Sequence, residues 1–183
     1  MDTKTQLATL GGGCYWCLEA IYQRLNGVID VNSGYSGGHL DHPHAQDVYS
    51  GTTGHAEVVQ IEFDPAGITY KELLEIFFVM HDPTTLNRQG HDVGDWYRSV
   101  IFYHDEQQKL TATDMRDNFA ADLWEDPIVT QIEPLEKFWP AGDEAKDYYD
   151  RNPYAGYCQI VIDPKIQKLR KKFAAKLKPE ATA

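Results

Sequence analysis

The sequence predicts one domain that mixes α and β structure, with strands of both directions in its sheet. Three observations carry that expectation. Short β-branched or alternating segments such as HAEVVQIEF and YRSVIFY lie between stretches of helical apolar spacing. No internal repeat, low-complexity tract or linker divides the 183 residues. A hydrophobic content of 42% is enough for one sizeable core in a chain of this length.

A first helix is expected over residues 14–26, with Ala20, Ile21 and Leu25 on its apolar side and Asn26-Gly27 as its stop. A short strand at 28–31 then ends in the turn-rich NSGYSGG. Residues 36–54 have no hydrophobic period and many Gly, His and Asp, so they read as a long loop of the kind that usually carries function. A strand follows at 55–63. Thr69 and Glu72 form a capping box for a helix whose Leu73, Leu74, Ile76, Phe77 and Met80 face the core. Residues 81–96 are a second polar loop, 97–103 a strand, 105–123 a helix and 128–133 a third substantial strand. A shorter helix near 143–150 and a strand at 159–162 precede a basic tail.

That tail hides an asymmetry in the net charge of −11. Residues 164–178 hold seven of the 17 Lys and Arg and no carboxylate, leaving ten basic residues against 28 acidic ones elsewhere. Such a body is unsuited to general nucleic-acid binding. Ile166, Leu169, Phe173 and Leu177 make an apolar stripe, so the tail reads as a helix docked on the acidic body. No run of 18 apolar residues exists to span a membrane, and MDTKTQLATL has neither the basic nor the apolar part of a secretory signal. Three cysteines are an odd number and too few for a disulfide framework. A soluble protein of the reducing cytoplasm is expected, and nothing in the chain demands more than a monomer.

The stretch GGGCYWCLEA places Cys14 at the expected first turn of helix 14–26. Unpaired backbone N–H groups and the helix dipole there favour a thiolate, and the glycines leave the approach to sulfur open. An accessible, activated nucleophile is the sharper reading; a small buried hydrophobe is the plainer one. Cys14 and Cys17 also form a Cys-x-x-Cys, which suits a redox dithiol or half a zinc site. Zinc would need Cys158 or His39, His42 and His44 to complete it, and no second closely spaced pair is present, so no metal is expected. Cys17, one turn in, reads as packed inside. Cys158 follows a Pro- and Gly-containing segment that reads as mobile, as a thiol travelling to a distant partner requires. On the strand 55–63, Glu57 shares its phase with Val59, Ile61 and Phe63. If that side faces the core, burial raises its pKa and makes it a proton donor near neutrality; if not, it is a strand-end carboxylate reaching solvent.

These residues lie in motifs that run through nearly the whole chain: GGGCYWCLEA, GYSGG, SGTTGHAEVVQIEFDP, HDPTTLNRQGHDVGDWYRS, NPYAGYCQ and PKIQKLRKKF. In that order and spacing the chain resembles the A-type peptide methionine sulfoxide reductases. The resemblance implies an α+β fold, a two-layer α/β sandwich with a mixed sheet and ferredoxin-like core, long loops and a mobile C-terminal segment. It implies one domain over 1–183, its core at about 5–155, with 156–183 as the resolving-cysteine segment and basic helix. It also implies that Cys14 attacks the sulfur of methionine S-sulfoxide, free or in oxidised proteins, with Tyr15 and Trp16 as the apolar wall for the S-methyl group. Glu57 matches the acid, and Asp92 and Tyr97 match residues that hydrogen-bond around the sulfoxide oxygen and that acid. Cys158 would resolve the Cys14 sulfenic acid as a disulfide for thioredoxin or another dithiol, with no cofactor.

The chain departs from the family's pattern in four places. Tyr15 stands where Phe is usual, Ala45 where a tyrosine is common, and Tyr49 where relatives often have Cys. Only Cys158 lies near the C-terminus, where some members have two cysteines. The missing phenol at Ala45 leaves His44 or Tyr49 as candidate replacements, and Cys17 as the one further thiol for a relay. Two rival functions remain distinct from this one: a dithiol oxidoreductase using Cys14 and Cys17, and a non-catalytic or zinc protein.

Overall fold

The structure, a computed structural model, describes residues 4–182 and builds its fold on one mixed sheet. In chain order its elements are β1 (Gln6–Gly11), α1 (Tyr15–Gln23), β2 (Val28–Ser36), α2 (Ala45–Tyr49), β3 (Ala56–Phe63), α3 (Tyr70–Met80), β4 (Arg88–Gln89), β5 (Asp92–Val93) and β6 (Val100–Tyr103). Then come α4 (Glu106–Asp114), α5 (Ala121–Leu123), β7 (Gln131–Pro134), β8 (Trp139–Pro140), α6 (Tyr148–Arg151) and α7 (Asp163–Lys172). Six strands pair in the order β7-β6-β1-β3-β2-β8, while β4 and β5 form a separate small hairpin. Within the large sheet only β6 and β7 run parallel. The inner strands β6-β1-β3-β2, with α1 and α3 in the chain order β1-α1-β2-β3-α3-β6, make the expected ferredoxin-like core.

Alternation on the strands decides the two faces. Leu10, Val31, Val59, Ile61 and Phe63 are buried in the main core with Leu18, Ile21 and Tyr22 of α1 and Leu73, Leu74 and Phe77 of α3. Each such aliphatic or Phe side chain contributes about 1.5–3 kcal/mol relative to exposure. The opposite phase gives a smaller cluster of Ala56, Val58, Val100 and Phe102, covered by Leu135 and Phe138. Glu57 therefore sits on the core side of β3. The helix α3 begins as its sequence requires: Thr69 accepts from the Glu72 N–H at 3.1 Å, and Glu72 accepts from the Thr69 N–H at 2.8 Å. Replacing Thr69 by alanine should cost about 1 kcal/mol, lowering Tm by about 2–4 °C in a thermal melt.

Several segments differ from expectation. Gln6–Gly11, left unassigned by the sequence pattern, is a central strand between β3 and β6. β2 continues through Gly34 to Ser36 of NSGYSGG, because Gly34 lets the Trp139 carbonyl and Phe138 ring lie against the strand where any Cβ would collide. The loop 36–54 contains the short helix α2, and α1 stops at Gln23 rather than Asn26. The C-terminal segment intercepts the chain there: the Asn26 N–H donates to the Lys176 carbonyl at 2.7 Å, and Leu25 bridges Leu177.

Residues 158–162 are no strand. They form a π-helical turn running into α7, because Cys158, Ile162, Ile166 and Leu169 repeat at helical spacing and are all buried. Cys158 is thus docked in the core, while Tyr154 in the Pro- and Gly-containing stretch before it stays 87% exposed. Among the described residues, no helix is long and apolar enough to cross a membrane.

Candidate active site

The site assembles where the C-terminal end of β1 turns into α1. Gly13 makes the turn at φ +92°, a conformation that disfavours side chains, and Gln89 packs against it where a Cβ would stand. Gly12 lies equally close to the His81 ring. The glycines therefore serve close packing, not an open approach to the sulfur. Cys14 is the N-cap of α1, with extended backbone at φ −61° and ψ 129°. Helix starts leave their first N–H groups without intrahelical partners. Here the Tyr15 N–H donates to Glu57 Oε2 at 2.9 Å, so the carboxyl of β3 is tied to the first turn that carries Cys14.

Glu57 is 1% exposed. Burial pushes its pKa up to about 7, against the pull of the Tyr15 N–H and the Tyr49 hydroxyl, with Asp92 and Cys17 adding to the rise. That is the core-facing outcome of the phase argument. Cys14 departs from expectation. It is 7% exposed, and burial pushes its thiol well above the ordinary value, helped by its hydrogen bond with Cys17 and the Glu57 charge. The Trp16 N–H pulls the other way, and desolvation outweighs it. Cys17 moves down instead, chiefly through the hydrogen bond from Cys14.

The other expected residues are placed unevenly. Tyr97 ends a 3₁₀ turn whose carbonyl accepts from the Gly13 N–H at 3.2 Å, and its phenol is raised to about 12 by burial and then by the charges of Glu57, Cys14 and Asp92. Asp92 is hydrogen-bonded to the Tyr157 hydroxyl, which donates to Oδ2 at 2.7 Å; its charge reaches Glu57 without a direct bond. Trp16 lies flat on Tyr148, with ring centroids 3.6 Å apart and planes within 4°, and Tyr157 meets it edge-on at 5.9 Å. Tyr15 is buried, and its hydroxyl pairs with that of Tyr35 at 3.0 Å.

Cys158 is 0% exposed, inside the π turn, and its thiol is raised by burial first and then by the charges of Asp163 and Cys17. The thiol that acts on Cys14 is Cys17, in the first turn of the same helix, and its sulfur lies 3.7 Å from the Tyr157 hydroxyl. His42 packs on Trp139 at 4.3 Å, and no group of three or more His, Cys, Asp or Glu suited to a metal occurs among the described residues.

Two phenols complete this ring of residues, and sequence reasoning missed the first of them. Tyr157 joins Asp92 to Cys17, and its only signal was its place beside Cys158. The hydroxyl of Tyr49 donates to Glu57 Oε1 at 2.7 Å; it stood in the sequence only as one of two substitutes for Ala45.

The family model described as peptide methionine sulfoxide reductase matches residues 6–177. A peptide methionine sulfoxide reductase MsrA of Halobacterium salinarum is 52% identical over 94% of this chain and 98% of that protein. Among solved structures, reduced Mxr1 from Saccharomyces cerevisiae is similar with a TM-score of 0.79 and 33% identity, covering 86% of this chain and 91% of that one. The same yeast protein in complex with Trx2 aligns with a TM-score of 0.55 and 28% identity, over 81% of this chain and 87% of that one.

Proposed function

Because this chain belongs to the peptide methionine sulfoxide reductase family and reduces methionine sulfoxide, we propose that Cys14 is its oxygen acceptor and Glu57 its acid. The observation that carries this reading is the buried carboxyl of Glu57, held up to about 7 and bound to the helix start that bears Cys14. Sulfoxide oxygen is a poor leaving group unless protonated, so a thiol nucleophile needs a neutral carboxyl beside it. An ionised Glu57 pushes Cys14 up, so the neutral acid and the thiolate go together.

The sulfur of Cys14 attacks the sulfur of methionine S-sulfoxide while Glu57 protonates the oxygen. The sulfur–oxygen bond of the substrate breaks as the bond between the two sulfurs forms; the released hydroxide then adds to the Cys14 sulfur and breaks that bond, so that thiol plus sulfoxide become sulfenic acid plus thioether. The thiol proton replaces the one that Glu57 gave. Tyr97 hydrogen-bonds the departing oxygen, and Asp92 keeps Glu57 protonated through its charge. Trp16, held flat by Tyr148, forms the wall for the S-methyl group with Tyr15 behind it.

Cys158 then condenses with the sulfenic acid, releasing water and forming a disulfide. A thioredoxin reduces that bond, as the yeast relative's complex with Trx2 suggests, without metal or cofactor. Three unpaired thiols suit a reducing compartment such as the cytoplasm. Because Cys158 is wholly buried, it reaches Cys14 only when its π turn opens. A second reading is favoured by the place of Cys17 in the first turn of the helix that Cys14 caps, where each thiol shifts the other's proton affinity: Cys17 captures the sulfenic acid first.

Thioredoxin-coupled turnover of separated S and R methyl sulfoxides tests these steps. Only the S form should be reduced, and Cys158→Ser should release one equivalent of product and stop. Stalling of Cys17→Ser with continued turnover of Cys158→Ser would install the second reading. Reduction of neither diastereomer would sink both.

A further inference from the structure

Resting on the reductase reading above, we infer that Tyr49 is a positioning residue for the Glu57 acid, supplying from the last residue of α2 the phenol that position 45 lacks. Both oxygens of the Glu57 carboxyl are engaged: Oε2 accepts from the Tyr15 N–H at 2.9 Å, and Oε1 accepts from the Tyr49 hydroxyl at 2.7 Å. These partners differ in kind. A backbone N–H can only donate, so it suits an unprotonated oxygen. A phenol can donate to a carboxylate and, by rotating its O–H, accept from a carboxylic acid. Tyr49 is thus the partner that fits Glu57 both before and after the proton is handed over.

The placement of Tyr49 is fixed by its helix. α2 is anchored by Val48, which is buried, and by the Asp47 carboxylate, which accepts from the His44 N–H at 2.8 Å. The Tyr49 ring packs on Trp96 with centroids 5.7 Å apart. The residue is 42% exposed, so one edge of the ring stands at the rim while the hydroxyl points inward to Glu57. Ala45 lies one helical turn earlier on the same side of α2. It lines a cleft of about 680 Å³ with Tyr35, His42 and Trp139, and its methyl offers Glu57 nothing polar. His44, the other candidate, caps α2 and makes no bond to Glu57. The hydroxyl that distinguishes Tyr15 joins the same cluster by bonding that of Tyr35 at 3.0 Å.

Single-turnover reduction of methionine S-sulfoxide, followed from pH 5 to 9.5, tests this role. Loss of a donor that favours the carboxylate raises the acid's pKa, so the alkaline fall in rate moves to higher pH in Tyr49→Phe. Its plateau should drop by roughly 10- to 100-fold, since the new carboxylate is no longer stabilised. In a Glu57→Gln background the same change should have little further effect, because Tyr49 acts through Glu57. A wild-type plateau and alkaline limb in Tyr49→Phe, or an equal loss in both backgrounds, would overturn the inference. Incorporating 3-fluorotyrosine at position 49 keeps the ring and strengthens the donor, and should shift the limb to lower pH; no shift would count against it. If the wild-type chain left the sulfoxide untouched, the reductase reading would fall. Carbon-13 NMR titration of the Glu57 carboxyl would then decide the Tyr49 bond alone, an unchanged midpoint in Tyr49→Phe overturning it.

Discussion

Serine in place of Cys14 should abolish sulfoxide reduction, with a loss on the order of 10⁴-fold or more. The substitution is nearly isosteric, so the N-cap of α1 and the bond from the Tyr15 N–H to Glu57 persist, and the loss reports chemistry. A hydroxyl cannot take the oxygen to become a sulfenic acid, and its nucleophilicity at neutral pH is far below that of a thiolate. Mass spectrometry after one turnover of Cys158→Ser should find one added oxygen on Cys14, and none on any residue of Cys14→Ser. Turnover by Cys14→Ser at the wild-type rate would refute the assignment.

Glutamine in place of Glu57 should slow the reductive step by about 10²–10⁴-fold, which is the range for loss of a general acid. Its pH profile carries the sharper information. Glu57 acts while protonated, and its pKa of about 7 leaves near half of it protonated at neutral pH. A glutamate carboxyl at its ordinary value would be protonated in only about one molecule in five hundred. The wild-type rate should therefore fall as pH rises through about 7, and the residual rate of Glu57→Gln should lack that fall. Stopped-flow measurement of the reductive step from pH 5 to 9.5 checks both; an unchanged limb in the variant would assign the titration to another group.

The parts of the site legible in sequence were those set by local pattern. The period-2 phase of HAEVVQIEF put Glu57 on the apolar side, and Thr69 with Glu72 announced the start of α3. Cys14 was expected at a helix start and is one. What escaped depends on partners distant in the chain. Gly34 belongs to a strand because Phe138 and Trp139 press against it, which a run of glycines and serines does not reveal. Cys158 to Ile162 read as β-branched, but their burial follows the helical spacing continued by Ile166 and Leu169. The raised pKa of Cys14 comes first from burial by surrounding elements, whereas the sequence displayed only the helix start, whose Trp16 N–H opposes it. Tyr49 joined the site through the folding of α2 against β3, within a segment whose composition showed only a loop.

The bond between the Tyr15 amide and Glu57 has a consequence for how this enzyme tolerates change. In the proposed reaction the group that hands over a proton is also the fastener that seats the sulfur-bearing helix on the sheet. Shortening it to aspartate would pull the clasp away from the helix, so the loss would mix misplacement with lost acidity. Glutamine keeps an acceptor oxygen for the amide and removes only the transferable proton. Reagent and hinge-pin are one side chain, and only the isosteric amide separates the two duties.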